Sequence, residues 1–212
     1  MPDNAPLHDA GQPNRIVIER AEVRFQGYFR LDRYILRHRK HDGGWSTPIT
    51  REVFERGHAV AVLPYDPAAD AVVLLEQFRV GALAAGKEPW QIEVIAGIID
   101  PGETPEAVAH REGREESGLV LHDLTPLYHY LVSPGGSTET VRLYAARVDS
   151  RTAGGIHGLD HEGEDIQVRV LDFAQAWAWV EEGRIDNAPT ILGLQWLALN
   201  RNRWQRDDPT RS

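Results

Sequence analysis

Apolar and polar positions alternate unevenly over the first quarter of the chain and then give way to continuous apolar runs. From Arg15 to about Arg56, the segments IVIERAEVRF, YFRLDRYILRHR and TPITREVFERG are rich in β-branched and aromatic residues, and Asp42-Gly43 supplies a hairpin turn. They predict a small antiparallel β unit with too few apolar residues for an independent core. AVAVLPYD (59–66), AVVLLEQFR (71–79) and WQIEVIAGIID (90–100) read as buried strands. LTPLYHYLVS (124–133), TVRLYAARV (140–148) and IQVRVLD (166–172) are further strands, with a long polar loop at 149–165. The spacing switches to a helical one over 173–185, with an apolar face at Trp177 and Val180, and over 188–204, where Pro189 sits near the start. The pattern predicts an α+β fold, a mixed β-sheet with flanking helices preceded by the small N-terminal β unit. The expected divisions are 1–56, 57–204 and a polar tail at 205–212, with residues 1–14 frayed.

Residues 97–119 break this pattern. Thr104-Pro105 reads as a helix start and Gly118 as its stop. Five carboxylates lie on this stretch: Glu103, Glu106, Glu112, Glu115 and Glu116. At 3.6 residues per turn, Glu112 shares a face with Glu115 and Glu116. Like charges so placed cost roughly 0.2–0.5 kcal/mol per pair, and Gly113 in mid-helix costs about another 1 kcal/mol relative to Ala. Ala107, Val108 and Gly113 are a small set for a core-facing stripe. A hard divalent cation such as Mg²⁺ or Mn²⁺ would offset the repulsion, since both prefer carboxylate oxygens. The other reading is a solvated acidic face.

Composition narrows the classes. A 212-residue chain can bury a sizeable core. The formal net charge of −9 argues against non-specific binding to nucleic acid or anionic membrane. With no cysteine, thiolate chemistry, zinc–thiolate sites and disulfides are excluded. No long apolar run or signal peptide is seen, so a cytoplasmic protein is expected.

The spacing Gly97, five residues, Glu103, seven residues, Arg111-Glu112, two residues, Glu115-Glu116, one residue, Gly118-Leu119 resembles the signature box of the Nudix hydrolases. Its one departure is Gly113, where an aliphatic residue is expected. The resemblance implies the Nudix fold and a metal-dependent hydrolase that cuts a pyrophosphate linked to another moiety. It makes Glu112 and Glu116 metal ligands, Glu115 a neighbouring one, and the Ala96 carbonyl a backbone ligand. It pairs Glu103 with Arg111 as a brace between loop and helix.

Pro134, fifteen residues beyond Leu119 in SPGGSTE, is similar to the ADP-ribose pyrophosphatase branch of that family, as are GIHGLDHEGEDI and EEGRIDNAPTILGLQWL. What the branch implies is hydrolysis of ADP-ribose with two or three Mg²⁺, Mn²⁺ being a possible substitute. By position, Glu162 resembles the general base, with Glu115 the other candidate, and Glu164 a further metal ligand. Arg51 and Arg79 match diphosphate contacts, Glu139 a position near the terminal ribose, and Tyr28 or Phe25 suits stacking on adenine. His157 and His161 are four apart but lack a third zinc partner. In the branch the N-terminal unit is exchanged in a homodimer, so Arg51 and Tyr28 would serve the partner's site. Another nucleoside diphosphate sugar such as GDP-mannose, or a dinucleotide polyphosphate, is an alternative substrate. A non-catalytic ADP-ribose sensor would be expected to lose box carboxylates and carry a basic helix, and neither is seen.

Overall fold

The computed structural model describes residues 15–159 and 163–206, in two compact units. The first comprises residues 15–58 together with 131–140. Strands β1 (Ile16–Gln26), β2 (Arg30–His38) and β3 (Ile49–Glu55) form an antiparallel sheet in that order. Between β2 and β3, Asp42 closes the expected turn by accepting from Gly44 N–H at 2.9 Å. Cross-strand ion pairs tie the sheet, Arg37 to Glu19 at 2.6 Å and Arg33 to Glu52 at 3.1 Å. Little of it is buried apart from Tyr34 and Asp32. Segment 131–140 joins β3 by two backbone bonds, Phe54 N–H to Gly136 O at 2.8 Å and Thr138 N–H to Phe54 O at 3.1 Å.

The second unit carries the mixed sheet. Its strands are β4 (Ala59–Asp66), β5 (Ala71–Phe78), β6 (Trp90–Glu93), β7 (Ile95–Ile98), β8 (His122–Leu131), β9 (Thr140–Arg147), β10 (Ile156–His157) and β11 (Ile166–Asp172). The order is β10-β11-β5-β4-β9-β8, with β6 added to β5 and β7 to β4. β4 and β9 run parallel, whereas β4–β5, β4–β7, β5–β6, β5–β11 and β10–β11 are antiparallel. The helices are α1 (Val80–Ala84), α2 (Pro105–Ser117), α3 (Phe173–Glu181) and α4 (Ala188–Arg206). No helix among the described residues is long and apolar enough to cross a membrane.

The continuous apolar runs are explained by burial on both faces. Along β4, Ala61, Leu63 and Tyr65 pack in one cluster with Phe173, Leu194 and Leu197 from α3 and α4. Val60 and Val62 pack in a second with Val108 and Ala109 from α2.

Several expectations are corrected by local physics. The strand expected over 90–100 is two strands, interrupted at Val94, because the chain changes partner from β5 to β4 there. The loop at 149–165 contains a 3₁₀ turn at Ser150–Thr152 and strand β10. The buried Asp66 carboxylate fixes that turn, accepting from Ser150 N–H at 2.9 Å and Ser150 Oγ at 2.7 Å. The 173–185 helix ends at Glu181, the last helix reaches Arg206, and the short α1 carried no periodic signal.

Helix α2 starts and stops as its sequence predicts. Thr104 Oγ1 accepts from Ala107 N–H at 3.2 Å, Pro105 opens the first turn, and Gly118 closes it at φ 69°. The face it buries is Val108, Ala109, Gly113, Glu116 and Ser117. Small residues suffice because the helix lies close on what it covers. A Cβ at position 113 would stand 2.9 Å from Leu121 Cγ, so Leu121 fills the room that an aliphatic side chain would need.

Gly113→Ala is therefore expected to lower the thermal midpoint, because overpacking costs about 1–3 kcal/mol against the roughly 1 kcal/mol of helix propensity gained. Adding Leu121→Val should restore part of the loss. A rise in midpoint for the single variant would show instead that Leu121 moves aside freely.

Candidate active site

The site forms where α2 crosses β7. Glu116 is 2% exposed, and its Oε2 accepts from Ala96 N–H at 3.0 Å. Ala96 stands opposite Ala61 in the β4–β7 pair, yet its N–H goes to Glu116. In an antiparallel strand a residue's N–H and C=O leave from the same edge. The Ala96 carbonyl therefore emerges beside Glu116, on the edge away from β4. Glu112, one turn earlier, packs directly on Gly97, where any Cβ would overlap its carboxyl. Glycine is thus required at the first position of the box, because the helix carboxylate occupies the place of a side chain.

Arg111 does more than the expected pairing with Glu103. Its Nη2 reaches Glu103 Oε2 at 3.5 Å, and its Nη1 donates to Glu112 at 2.9 Å and to Glu115 at 3.0 Å. Glu103 also accepts from Asp100 N–H at 3.1 Å, so one guanidinium joins the loop before the helix to three carboxylates. The loop after β10 approaches the same helix, with Gly158 N–H on Glu115 O at 3.4 Å. Glu164 is held by Leu159 N–H at 3.2 Å.

These charges are felt across the site. Burial pushes the Glu116 carboxyl up to about 8, with Glu112 and Glu164 adding to the rise and the Ala96 N–H and Arg79 opposing it. Burial likewise pushes Glu112 up to about 7, with Arg111 opposing and Glu115 and Glu164 adding. Arg79 is fixed by Glu93 of β6, its Nε donating to Glu93 Oε2 at 2.7 Å. The role of Glu93 was not read from the sequence, although an acidic residue within the apolar run WQIEVI was a signal. Tyr144 of β9 was also missed. Its hydroxyl donates to Glu106 at 2.7 Å and ties the first turn of α2 to the sheet.

The remaining expected residues fall elsewhere. Glu162 and His161 lie outside the described residues. His157 sits in β10 with Nε2 2.9 Å from Gly154 O. Arg51, Tyr28, Phe25, Pro134 and Glu139 belong to the first unit. Arg51 lies opposite Tyr34 in the β2–β3 pair and donates to Thr50 O at 2.8 Å. Tyr28 is 85% exposed and Phe25 63% exposed, so neither is a core aromatic. Glu139 pairs with Arg56 at 3.3 Å.

The NUDIX domain family matches residues 55–194, more than half of the chain. The chain belongs to the NUDIX family. It is 45% identical over 207 residues to the ADP-ribose pyrophosphatase of Escherichia coli K12, covering 96% of this chain and 98% of that one. It is 44% identical over 189 residues to the ADP-ribose pyrophosphatase of Haemophilus influenzae, covering 86% and 87%. A GDP-mannose pyrophosphatase of Escherichia coli is 37% identical over 152 residues, covering 71% of this chain and 78% of that one. Among solved structures, the fold is similar to that of an ADP compounds hydrolase, with a TM-score of 0.67 at 21% identity over 88% of this chain and 96% of that one.

The NUDIX box fits a divalent cation by the chemistry of its donors. Glu112 and Glu116 are hard oxygen donors, each raised in pKa by burial and by a neighbouring carboxylate, and a cation would relieve both effects. Among the described residues no three Asp, Glu or His side chains close into one metal shell. A cation held here would complete its coordination with backbone carbonyl, water or ligand phosphate, which is the habit of Mg²⁺.

The raised carboxyls predict a pH dependence in EDTA. Unfolded, a glutamate titrates near 4.3; in the fold Glu116 binds its proton up to about 8 and Glu112 up to about 7. Their contribution to stability is full below the unfolded value and is lost as pH rises through the folded values. Urea unfolding in EDTA should show stability falling from pH 5 to pH 8, with a flatter profile for Glu116→Gln. A wild-type profile that rises over that range would contradict the assignment.

Proposed function

We propose that this NUDIX enzyme hydrolyses the pyrophosphate of ADP-ribose, releasing AMP and ribose 5-phosphate. The observation that carries the reading is the 45% identity to an ADP-ribose pyrophosphatase over nearly the whole of both chains. Glu112, Glu116 and the Ala96 carbonyl hold divalent cations, with Glu115 or Glu164 assisting. When bound, Mg²⁺, about two or three ions with Mn²⁺ as a substitute, polarises the diphosphate and lowers the pKa of the attacking water. Glu162 accepts the proton of that water, and Glu115 is the second candidate for this task. Arg79, steadied by Glu93, and Arg51 position the diphosphate. Tyr28 or Phe25 stacks on adenine, Glu139 lies near the terminal ribose, and Pro134 is a further substrate-binding residue.

The working form is a homodimer in which the N-terminal units are exchanged and Arg51 and Tyr28 serve the partner's site. This is supported by Ile16, Val17, Ile18, Val23, Phe25 and Phe54, all exposed on a three-stranded sheet. Exposed apolar residues grouped on one small sheet mark a surface for another protein chain.

A second reading, GDP-mannose as substrate, is favoured by the 37% identity to a GDP-mannose pyrophosphatase. The test is AMP release from ADP-ribose with Mg²⁺, with and without EDTA, beside GDP-mannose and other nucleoside diphosphate sugars. Fast, EDTA-sensitive release that is strongest on ADP-ribose is expected; a preference for GDP-mannose would replace the substrate. Glu116→Gln should lose more turnover than the ~10–100-fold that loss of an outer hydrogen-bond partner costs. Glu162→Gln should lower turnover with metal binding retained, and unchanged kinetics would move the base to Glu115.

A further inference from the structure

Thr190, in the first turn of α4, is 0% exposed, on the helix that buries Leu194 and Leu197 in the core. A buried hydroxyl in such surroundings is costly unless it is hydrogen-bonded. Its Oγ1 accepts from Val94 N–H at 3.0 Å, across 96 residues of sequence. Val94 is the residue at which the chain leaves β5 and joins β4, so the strand ladder does not serve its N–H. Two residues earlier, Ile92 O accepts from Asn187 Nδ2 at 2.7 Å. Asn187 in turn caps α4, its Oδ1 accepting from Thr190 N–H at 3.3 Å. One helix start thus holds the break residue and the strand that leads into it.

What the break carries is the site. Glu93, on one side, fixes Arg79. Ala96, on the other, meets Glu116. If segment 92–96 ran on as one regular strand beside β5, a residue's N–H and C=O would point into a different ladder. The Ala96 backbone would then not face the helix carboxylate. Nothing in the NUDIX box itself specifies this break.

We propose that Asn187 and Thr190 are positioning residues that hold the strand break at Val94 and so set the Ala96 backbone against Glu116 and the cation held there. The inference rests on the metal-binding reading of the site and not on the identity of the substrate.

The test is Mn²⁺ binding to the whole protein, read by electron paramagnetic resonance without substrate, together with amide hydrogen exchange over 92–98. Thr190→Val keeps the shape and removes the acceptor. It should weaken Mn²⁺ binding by about 10-fold, the low end of what losing a partner bonded directly to a ligand costs, because Thr190 acts through Val94, and it should speed exchange over 92–98 more than elsewhere. Thr190→Ser should restore both. Leu197→Val, in the same helix and core, controls for general destabilisation and should leave Mn²⁺ affinity unchanged. Wild-type affinity in Thr190→Val, or an equal loss in Leu197→Val, would overturn the proposal. Failure of the wild-type protein to cleave ADP-ribose would overturn the substrate and leave this measurement standing.

Discussion

The hydrogen bond from Ala96 N–H to Glu116 joins the one helix that carries the chemistry to the sheet that supports it. Burying a carboxylate is expensive unless something compensates it. At 2% exposure Glu116 has the backbone donor and the nearby Arg79 charge, opposed by Glu112 and Glu164. The balance leaves a site that binds protons too tightly for a carboxylate at neutral pH. A group in that condition is poised for a cation, and the cost borne by the bare fold becomes affinity when a cation is bound.

Close approach is the second constraint. Two glycines of the box act through space they leave empty: Gly97 gives room to the Glu112 carboxyl, and Gly113 to Leu121. The helix can then lie low enough on the sheet for Glu116 to reach backbone. Arg111 completes the arrangement by holding Glu103, Glu112 and Glu115 around one cation of its own. The repulsion written into the acidic helix is thus partly answered inside the protein, and the remainder is concentrated on the buried pair.

The first unit follows different physics. Its sheet is held by hydrogen bonds and cross-strand ion pairs, and its apolar residues are largely exposed. Exposed ion pairs contribute little, so such a sheet needs further apolar cover to be well ordered. The exchange proposed above would supply that cover and would bring Arg51 and Tyr28 to the partner's site.

The chain's own pattern determined the α+β class, most strand positions, both ends of α2 and the membership of the NUDIX family. Those features rest on local periodicity, capping chemistry and a fixed spacing of carboxylates, all of which lie within short windows. Helical periodicity put Glu112, Glu115 and Glu116 on one face, and the resemblance of the box singled out Glu112, Glu116 and Arg111 as site candidates. Tertiary structure alone decided the break at Val94, the fit of Gly113 against Leu121, the bond from Glu93 to Arg79 and the reach of Thr190 to Val94. Each depends on which strand pairs with which and on how near two distant segments come. An apolar run such as WQIEVIAGIID looks the same whether it pairs with one neighbour or changes between two, so its partner is chosen by the assembled sheet.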